Sequence, residues 1–253
     1  LWPVLKHAPV EVPIVGDIDP DQILDLARSR LGRLPQRPGF ASVNPGPGVQ
    51  FPKAGRLTLE IDTKIDTALV KIAFLTDDYW DISQTRQLSI LSRVFSERLR
   101  KVIREELGQS YSPYVYNLPS KHIKGYGVMQ AVVQVKPGKE SLVEEKINSM
   151  IETFYRDGVS EAETQTALKP VMTHLKTLKR SNRYWLNSVM VNSAVYPVKF
   201  KWARHILSGY ESITHTDLTR QARKYLVGGE NAVVVIAPKL SRDRDKEKKK
   251  RND

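Results

Sequence analysis

The long amphipathic segment over residues 82–107 is the feature that most constrains how this chain of 253 residues can fold. Its apolar residues recur three and four positions apart and form one continuous stripe: Leu91, Val94, Phe95, Leu99, Val102, Ile103 and Leu107. A stripe of this kind is typical of a helix with one buried face. Gly108 follows directly, at a position where helices commonly end on a glycine. The pattern therefore predicts one long helix that ends near residue 107.

Shorter periodic segments on both sides of this helix alternate between strand-like and helix-like patterns. Runs rich in β-branched and aromatic residues predict strands over 57–62, 68–75, 111–118, 126–135 and 232–237. Helical periodicity predicts further helices over 141–154, 161–178, 185–195, 199–207 and 217–226. The first two strands are expected to pair as a hairpin or meander. Together these segments predict an α+β fold, with helices packed on one face of a mixed or antiparallel sheet.

The beginning of the chain is set apart by its composition. Residues 10–16 predict a strand, which Pro13 restricts to a sheet edge, and Asp19-Pro20 then starts a helix that ends at Gly32. Prolines and glycines without periodicity follow, so residues 36–55 are interpreted as a linker. The predicted division is a strand and helix over 1–35, the linker, a complete domain over 56–238 and a charged tail over 239–253.

The net charge of +12 raises the alternative of a nucleic-acid-binding protein. About a third of this excess lies in the tail, where eight Lys and Arg residues accompany four acids in a segment too polar to pack. A solvated charged surface accounts for the rest. Nucleic-acid binding is therefore kept only as an alternative, and no nucleic-acid partner is expected.

The amino-acid composition also excludes several kinds of functional site. The chain has no cysteine, which excludes disulfides, thiolate metal ligands and a cysteine nucleophile. Its longest apolar runs, such as 233–237, are far shorter than the roughly 20 residues of a transmembrane helix, so no membrane span is expected. The sequence begins Leu-Trp-Pro, without an initiator Met or a signal peptide, and we therefore expect a fragment or a processed chain.

Familiar catalytic motifs are absent from the sequence. The five histidines form neither His-Glu-x-x-His nor the inverse His-x-x-Glu-His: His7, His122, His174, His205 and His215. Neither a glycine-rich phosphate loop nor a Gly-x-Ser-x-Gly elbow occurs. We therefore assign no catalytic residue, no metal ligand and no cofactor to this chain.

The end of the long helix carries the most informative motif. Residues 103–112 are Ile-Arg-Glu-Glu-Leu-Gly-Gln-Ser-Tyr-Ser, and a tyrosine-rich strand is predicted directly after them. This segment resembles the pitrilysin/insulinase-type zinc metallopeptidases, or inverted zincins, in which a helix ends in Leu-Arg-Glu-x-x-Gly-Leu-Ala-Tyr-Ser. Ile103 replaces the leucine and Gln109-Ser110 replace Leu-Ala, but the spacing from arginine to tyrosine is kept.

Other stretches support the same resemblance, which extends over about residues 10–238. Residues 15–32 look like the strand and helix that close a preceding domain of that family. Tyr79-Trp80-Asp81 and residues 182–186 are similar to its bacterial, envelope-located branch, which implies a periplasmic or cell-envelope protein. The implied fold is that of a metallopeptidase domain like those of the mitochondrial processing peptidase.

The resemblance implies a function for this chain as part of a zinc endopeptidase. In the family, a domain that bears His-x-x-Glu-His pairs with a homologous domain that has lost it, and the latter supplies an arginine and a tyrosine to the substrate. Those positions match Arg104 and Tyr111. The chain is thus expected to be the non-catalytic C-terminal portion, inactive alone. Its partners would be a peptide substrate and a zinc-bearing N-terminal portion, on the same polypeptide or on a separate subunit.

Residue chemistry is compatible with these roles. Arg104 is offset by about 100° from Ile103 and so flanks the apolar stripe, where a guanidinium can bind a carbonyl or carboxylate. A tyrosine phenol can donate to a carbonyl oxygen that gains charge during hydrolysis. The alternative function is a structural family member such as the cytochrome bc1 core proteins. We also expect the strand over 10–16, without its own sheet, to be mobile or to dock on a second copy as a homodimer.

Overall fold

The computed structural model describes residues 2–39, 48–52, 54–107 and 113–239. Its elements follow the chain as α1 (Trp2–His7), α2 (Pro20–Leu31), β1 (Arg56–Ile61), β2 (Ala68–Thr76), α3 (Ile82–Leu107), β3 (Tyr114–Pro119), β4 (Gly127–Val135), α4 (Glu140–Asp157), α5 (Glu161–Leu178), α6 (Asn182–Tyr184), a π-helical stretch (Trp185–Met190), α7 (Val198–Arg204), α8 (Ile206–Glu211), α9 (His215–Tyr225) and β5 (Ala232–Pro238). The predicted strands from residue 57 onward and the predicted helices all have counterparts among these elements.

The chain divides into two compact units, and neither follows the sequence in one piece. Residues 1–44 with 170–211 form one unit, and residues 45–169 with 212–253 form the other. We call them the helical unit and the sheet unit. The helices α6, α7 and α8 therefore group with the N-terminal segment. The domain boundaries inferred from the sequence stay a prediction.

The sheet unit contains one mixed five-stranded sheet in the order β1-β5-β2-β4-β3. Strand β1 pairs in parallel with β5, and the other neighbours are antiparallel. The predicted hairpin of the first two strands is wrong, because β5 lies between β1 and β2 and pairs with both. Valine-rich β5 has partners on both sides, whereas β1 lies at the edge with all six residues exposed.

Helices α3, α4 and α9 pack on one face of this sheet, as an α+β fold predicts. Alternate residues of β2 point into the core, and Val70 and Ile72 are fully buried. The stripe of α3 meets them, with Leu91, Phe95, Leu99 and Ile103 at 0% exposure. Phe95 links the layers, since its ring lies 6.3 Å from that of Phe74 in β2 and 5.3 Å from that of Phe154 in α4.

The helical unit has a small core of its own. Tyr184, Val189 and Ala203 are buried there, and four partly buried residues pack against them: Leu178, Trp185, Phe200 and Ile206. The helix expected over 185–195 starts earlier, as α6, and continues as the π-helical stretch up to Met190. It ends at Met190, because the next residue, Val191, has an extended ψ of 124°.

The strand predicted over residues 10–16 is wrong. Residues 9–15 have no regular secondary structure, because an extended segment that contains proline forms a strand only beside a sheet edge that can pair with it. The segment is held by a side chain instead. The Glu11 carboxylate accepts hydrogen bonds from Ser193 Oγ and from the Ala194 amide, both at 2.8 Å. The helix predicted after Asp19 forms as α2.

Candidate functional site

Arg104 lies in the last turn of α3, on the side of the helix that faces away from the packed core. Its neighbour Ile103 is fully buried, whereas Arg104 itself is exposed. A cation at this end of a helix is favoured by the partial negative charge of the last carbonyl groups. Within the described ranges no ion pair or hydrogen bond engages its guanidinium. As far as the described residues go, the fork of donors is without a partner, and such a fork can bind a carboxylate or a carbonyl.

Tyr111, the other residue that the motif predicts for the site, lies outside the described residues. Its position relative to Arg104 stays a prediction. The described chain resumes at Pro113, directly before β3. The described elements before and after Tyr111 in the sequence are therefore α3 and β3.

Ser96 fixes β3 against α3. Its Oγ accepts a hydrogen bond from the Val115 amide at 2.7 Å and donates to the Val115 carbonyl at 3.1 Å. Because β3 is an edge strand, these backbone groups point away from the sheet and have no strand partner on that side. One hydroxyl thus satisfies both groups and sets the position of the strand that follows Tyr111.

The open face of β3 carries two stacked tyrosines. The rings of Tyr114 and Tyr116 lie 5.7 Å apart at an interplanar angle of 16°. Tyr116 donates its hydroxyl to Gln130 Oε1 of β4 at 2.9 Å, while Tyr114 is 51% exposed. Exposed tyrosine offers both an apolar ring face and a polar hydroxyl for contact with a polypeptide. The sequence marked this strand as rich in tyrosine but gave no sign of the bond to Gln130, which comes from another strand.

An ion pair anchors the middle of α3 next to this site. Arg98 makes a bidentate bond to Glu163 of α5, at 2.6 and 2.9 Å, and also donates to the Gly158 carbonyl at 2.7 Å. Its guanidinium lies 4.1 Å above the ring of Phe154. The hydrogen bond from Arg98 holds the pKa of Glu163 at about 2, against an ordinary value of 4.5. Sequence patterns gave no sign of this pair, because its two members are 65 residues apart.

The Tyr79-Trp80-Asp81 segment lies before α3 and holds the turn that connects β3 to β4. The Tyr79 amide donates to the Ser120 carbonyl, and Trp80 Nε1 donates to the Lys121 carbonyl at 3.1 Å. The Lys121 ammonium lies 4.9 Å from the centre of the Tyr79 ring. This segment therefore supports the strand that bears the stacked tyrosines.

Metal ligation is not a property of the described part of the chain. Across the described ranges, no group of three or more histidine, aspartate or glutamate side chains is arranged to hold a metal ion. The helices within the same ranges also lack the combination of length and hydropathy that crossing a bilayer requires.

Comparison with known proteins gives a family match. A family model described as the peptidase M16 inactive domain matches residues 9–171. Comparison with curated protein sequences gives no match.

Solved structures share the fold. The peptidase M16 inactive domain from Pseudomonas fluorescens superposes with a TM-score of 0.70, at 16% identity, over 89% of this chain and 52% of that chain. The periplasmic protease PqqL from Escherichia coli gives 0.72, at 17% identity, over 89% and 25%. A protease from Helicobacter pylori gives 0.68, at 15% identity, over 88% and 54%. The chain thus spans about half the length of two of these proteins and a quarter of the third.

Proposed function

Because this chain belongs to the M16 peptidase family, through the inactive domain whose model matches residues 9–171, we propose that it is the substrate-binding, non-catalytic C-terminal portion of a zinc-dependent endopeptidase. It would contribute Arg104 and Tyr111 to a peptide that is cleaved at a zinc site on another domain. The observation that carries this proposal is the exposed Arg104 at the end of a rigidly packed helix.

Arg104 is suited to bind rather than to stabilise the fold. The residue before it is buried and α3 is fixed by Arg98 and Ser96, so the backbone of Arg104 is held in place by a helix that does not need its charge. The planar fork of guanidinium donors can bind a peptide carbonyl or a terminal carboxylate. An arginine also keeps its charge throughout the pH range in which peptidases work.

Tyr111 is proposed to act beside it as a neutral hydrogen-bond donor. A phenol that donates to the scissile carbonyl becomes more effective as negative charge develops on that oxygen. The stacked Tyr114 and Tyr116 support this role, because they place an aromatic surface for the peptide chain on the strand that follows Tyr111.

The zinc ion in this proposal belongs to the partner portion. No set of zinc ligands is present among the described residues, and the sequence lacks His-x-x-Glu-His. A zinc ion at such a site activates a water molecule for attack on the peptide bond. The work of this chain is to bind and orient the peptide.

The partners and the location follow as proposals from the same assignment. The zinc-bearing portion could precede this chain on one polypeptide or form a separate subunit. The likeness to PqqL, which is described as periplasmic, supports a location in the bacterial cell envelope. A second copy of this chain remains a proposed partner of the isolated fragment, through exposed apolar residues of its N-terminal segment such as Val10, Val12 and Ile14.

Substitution in the assembled enzyme tests the function. Arg104→Ala and Tyr111→Phe are each expected to slow peptide cleavage by about 10²- to 10³-fold, because each removes one donor that strengthens in the transition state. Arg93→Ala is the matched control, since Arg93 is an exposed arginine eleven residues earlier on the same helix. Zinc content should stay unchanged in all three variants.

The outcome also separates the two candidate functions. If Arg104→Ala and Tyr111→Phe cleave at the parental rate, the roles assigned to these residues are wrong and only the fold assignment stands. If the parental assembly cleaves no peptide at all, a purely structural family member is the better description. If Arg93→Ala slows cleavage as strongly as Arg104→Ala, the slower cleavage results from the loss of surface charge in general. It does not then result from the loss of a hydrogen-bond donor at the position of Arg104.

A further inference from the structure

The helical segment over residues 170–211 has an unusual charge balance. It contains seven lysines and arginines and a single carboxylate, Glu211. The seven cations are Lys176, Lys179, Arg180, Arg183, Lys199, Lys201 and Arg204. We call residues 170–211 the basic segment. Its excess charge lies in folded helices and turns.

These cations surround one small core. Arg183 directly precedes buried Tyr184, Lys201 directly follows Phe200, and Arg204 directly follows buried Ala203. Because adjacent Cα atoms are about 3.8 Å apart, the Cα atom of each of these cations lies next to that of a residue in the packed cluster. Lys176 and Arg180 lie two residues on either side of Leu178, which packs against the same cluster. The basic segment is therefore one compact positive body.

Five of the cations are open to solvent and to a ligand. Lys176, Arg180, Arg183, Lys201 and Arg204 are exposed, and none has an ion pair in the described part of the chain. Glu11, the carboxylate that contacts this segment, binds Ser193 and Ala194 and not a cation. Like charges gathered on one body raise the local potential and attract a ligand of opposite charge.

We propose that the basic segment is a docking site for an acidic stretch of the polypeptide substrate. This inference rests on the proposed function, since a polypeptide is what the assembled enzyme would handle. Contacts between surface charges act mainly on capture and orientation, because they speed encounter and discriminate between partners. The site would therefore select substrates that carry a run of Asp or Glu.

The aromatic and apolar residues of the segment favour this ligand over a nucleic acid or a lipid surface. Binding of single-stranded nucleic acid uses exposed rings as stacking platforms, but no aromatic residue of this segment is exposed. One is buried and the others are half-buried: Tyr184, and Trp185, Tyr196, Phe200, Trp202 and Tyr210. An interfacial helix needs a broad exposed apolar face. The largest apolar exposures described in this segment are 40% at Val191 and 39% at Val198.

The test measures binding of labelled peptides to the full chain by fluorescence anisotropy. A glutamate-rich peptide is compared with a glutamine-rich peptide of equal length. The triple variant Arg183→Gln, Lys201→Gln and Arg204→Gln should bind the acidic peptide about tenfold more weakly, from three surface contacts of modest strength. Raising the salt from about 20 mM to about 300 mM should weaken binding to the parental chain and reduce this difference.

A second triple variant provides the control. Lys64→Gln, Lys136→Gln and Lys139→Gln remove the same charge from exposed positions of the sheet unit and should leave binding nearly unchanged. Circular dichroism and thermal melting of both variants show whether they are folded, so a lost fold cannot be mistaken for a lost site.

The proposal is overturned if the two peptides bind equally, or if the two triple variants weaken binding alike. It is also overturned if single-stranded DNA or anionic vesicles bind more tightly than the acidic peptide and respond to the first variant. The measurement does not involve cleavage, so its failure is separate from failure of the roles proposed for Arg104 and Tyr111.

Discussion

Helices α2 and α3 are both amphipathic by sequence, but only α3 has a buried face. Leu91, Leu99 and Ile103 of α3 are fully buried against the sheet and its neighbouring helices. In α2 no residue is buried, and Leu24 and Leu26 are 51% and 53% exposed. The stripe of α3 is matched by a surface within the chain, whereas that of α2 is not matched by any residue that the structure describes.

This difference shows what periodicity can and cannot predict. An apolar stripe specifies that a helix needs a partner, but it does not specify where the partner is. Relatives that are about twice as long as this chain provide a context in which such a partner could be supplied. We therefore expect substitutions in α3 to affect the stability of the chain, and equivalent substitutions in α2 to affect assembly instead.

The largest difference is expected for truncation of a leucine in each helix. Leu99→Ala should lower the free energy of unfolding by about 2–5 kcal/mol, because it leaves a cavity in a closely packed core. Leu24→Ala should change it by no more than about 0.5 kcal/mol, since the side chain is half exposed. Urea titration of both variants measures the two values. Equal losses would mean that α2 is packed in solution and that the contrast between the helices is wrong.

A second contrast concerns the ion pairs on the two helices. In the folded chain the pKa of Glu163 is about 2 because Arg98 donates to it, so unfolding raises this pKa toward 4.5. A carboxyl group whose pKa is lower in the folded state than in the unfolded state stabilises the fold at pH values above its unfolded-state pKa. This contribution is lost as the pH falls toward the folded-state pKa. We expect the free energy of unfolding to fall by about 1–2 kcal/mol between about pH 5 and pH 2. This value allows for the partial exposure of the pair, because solvent screens the interaction of its charges.

Glu163→Gln checks this pH dependence. The variant should be less stable than the parent at pH 7, and the gap in unfolding free energy should narrow as the solution is acidified. Asp25→Asn is the control, because Asp25 pairs with Arg28 on the exposed surface of α2. Asp25→Asn should have the same unfolding free energy as the parent, within error, at every pH. A gap for Glu163→Gln that stays constant down to about pH 3 would contradict the lowered pKa.

The smallest contrast lies in the two helix caps. Thr214 caps α9 in a capping box with Asp217, and α9 buries Leu218 and Ala222 in the core. Asp19 caps α2 through its carboxylate, which accepts from the Asp21 amide at 2.9 Å. Thr214→Ala should lower the stability of the sheet unit by about 1 kcal/mol. Asp19→Ala should fray α2 alone, which hydrogen exchange would show as faster exchange over residues 20–31 without a change in the urea midpoint.

Local patterns predicted most of the helices and strands of this molecule, because periodicity and capping depend on residues that are close in sequence. The exposure of Arg104 was also predictable from its offset to Ile103. The position of β5 between β1 and β2 was not, since strand pairing depends on partners that are distant in sequence. The bonds from Arg98 to Glu163 and from Tyr116 to Gln130 were missed for the same reason. The strand predicted over 10–16 failed because an extended segment cannot pair without a neighbour.

The Ser96 hydroxyl has a consequence for how this chain can polymerise. It forms hydrogen bonds with the N–H and the C=O of Val115, which point away from the sheet. Pro119, further along the same edge, has no N–H to donate. Strand β3 is therefore a poor template for another strand. Among the residues that the structure describes, strand β1 at the opposite edge pairs on one side only, with β5. A sheet with one blocked edge and one free edge can be extended in a single direction. Two chains joined through β1 would use both free edges, and growth would stop at the pair without producing a fibre.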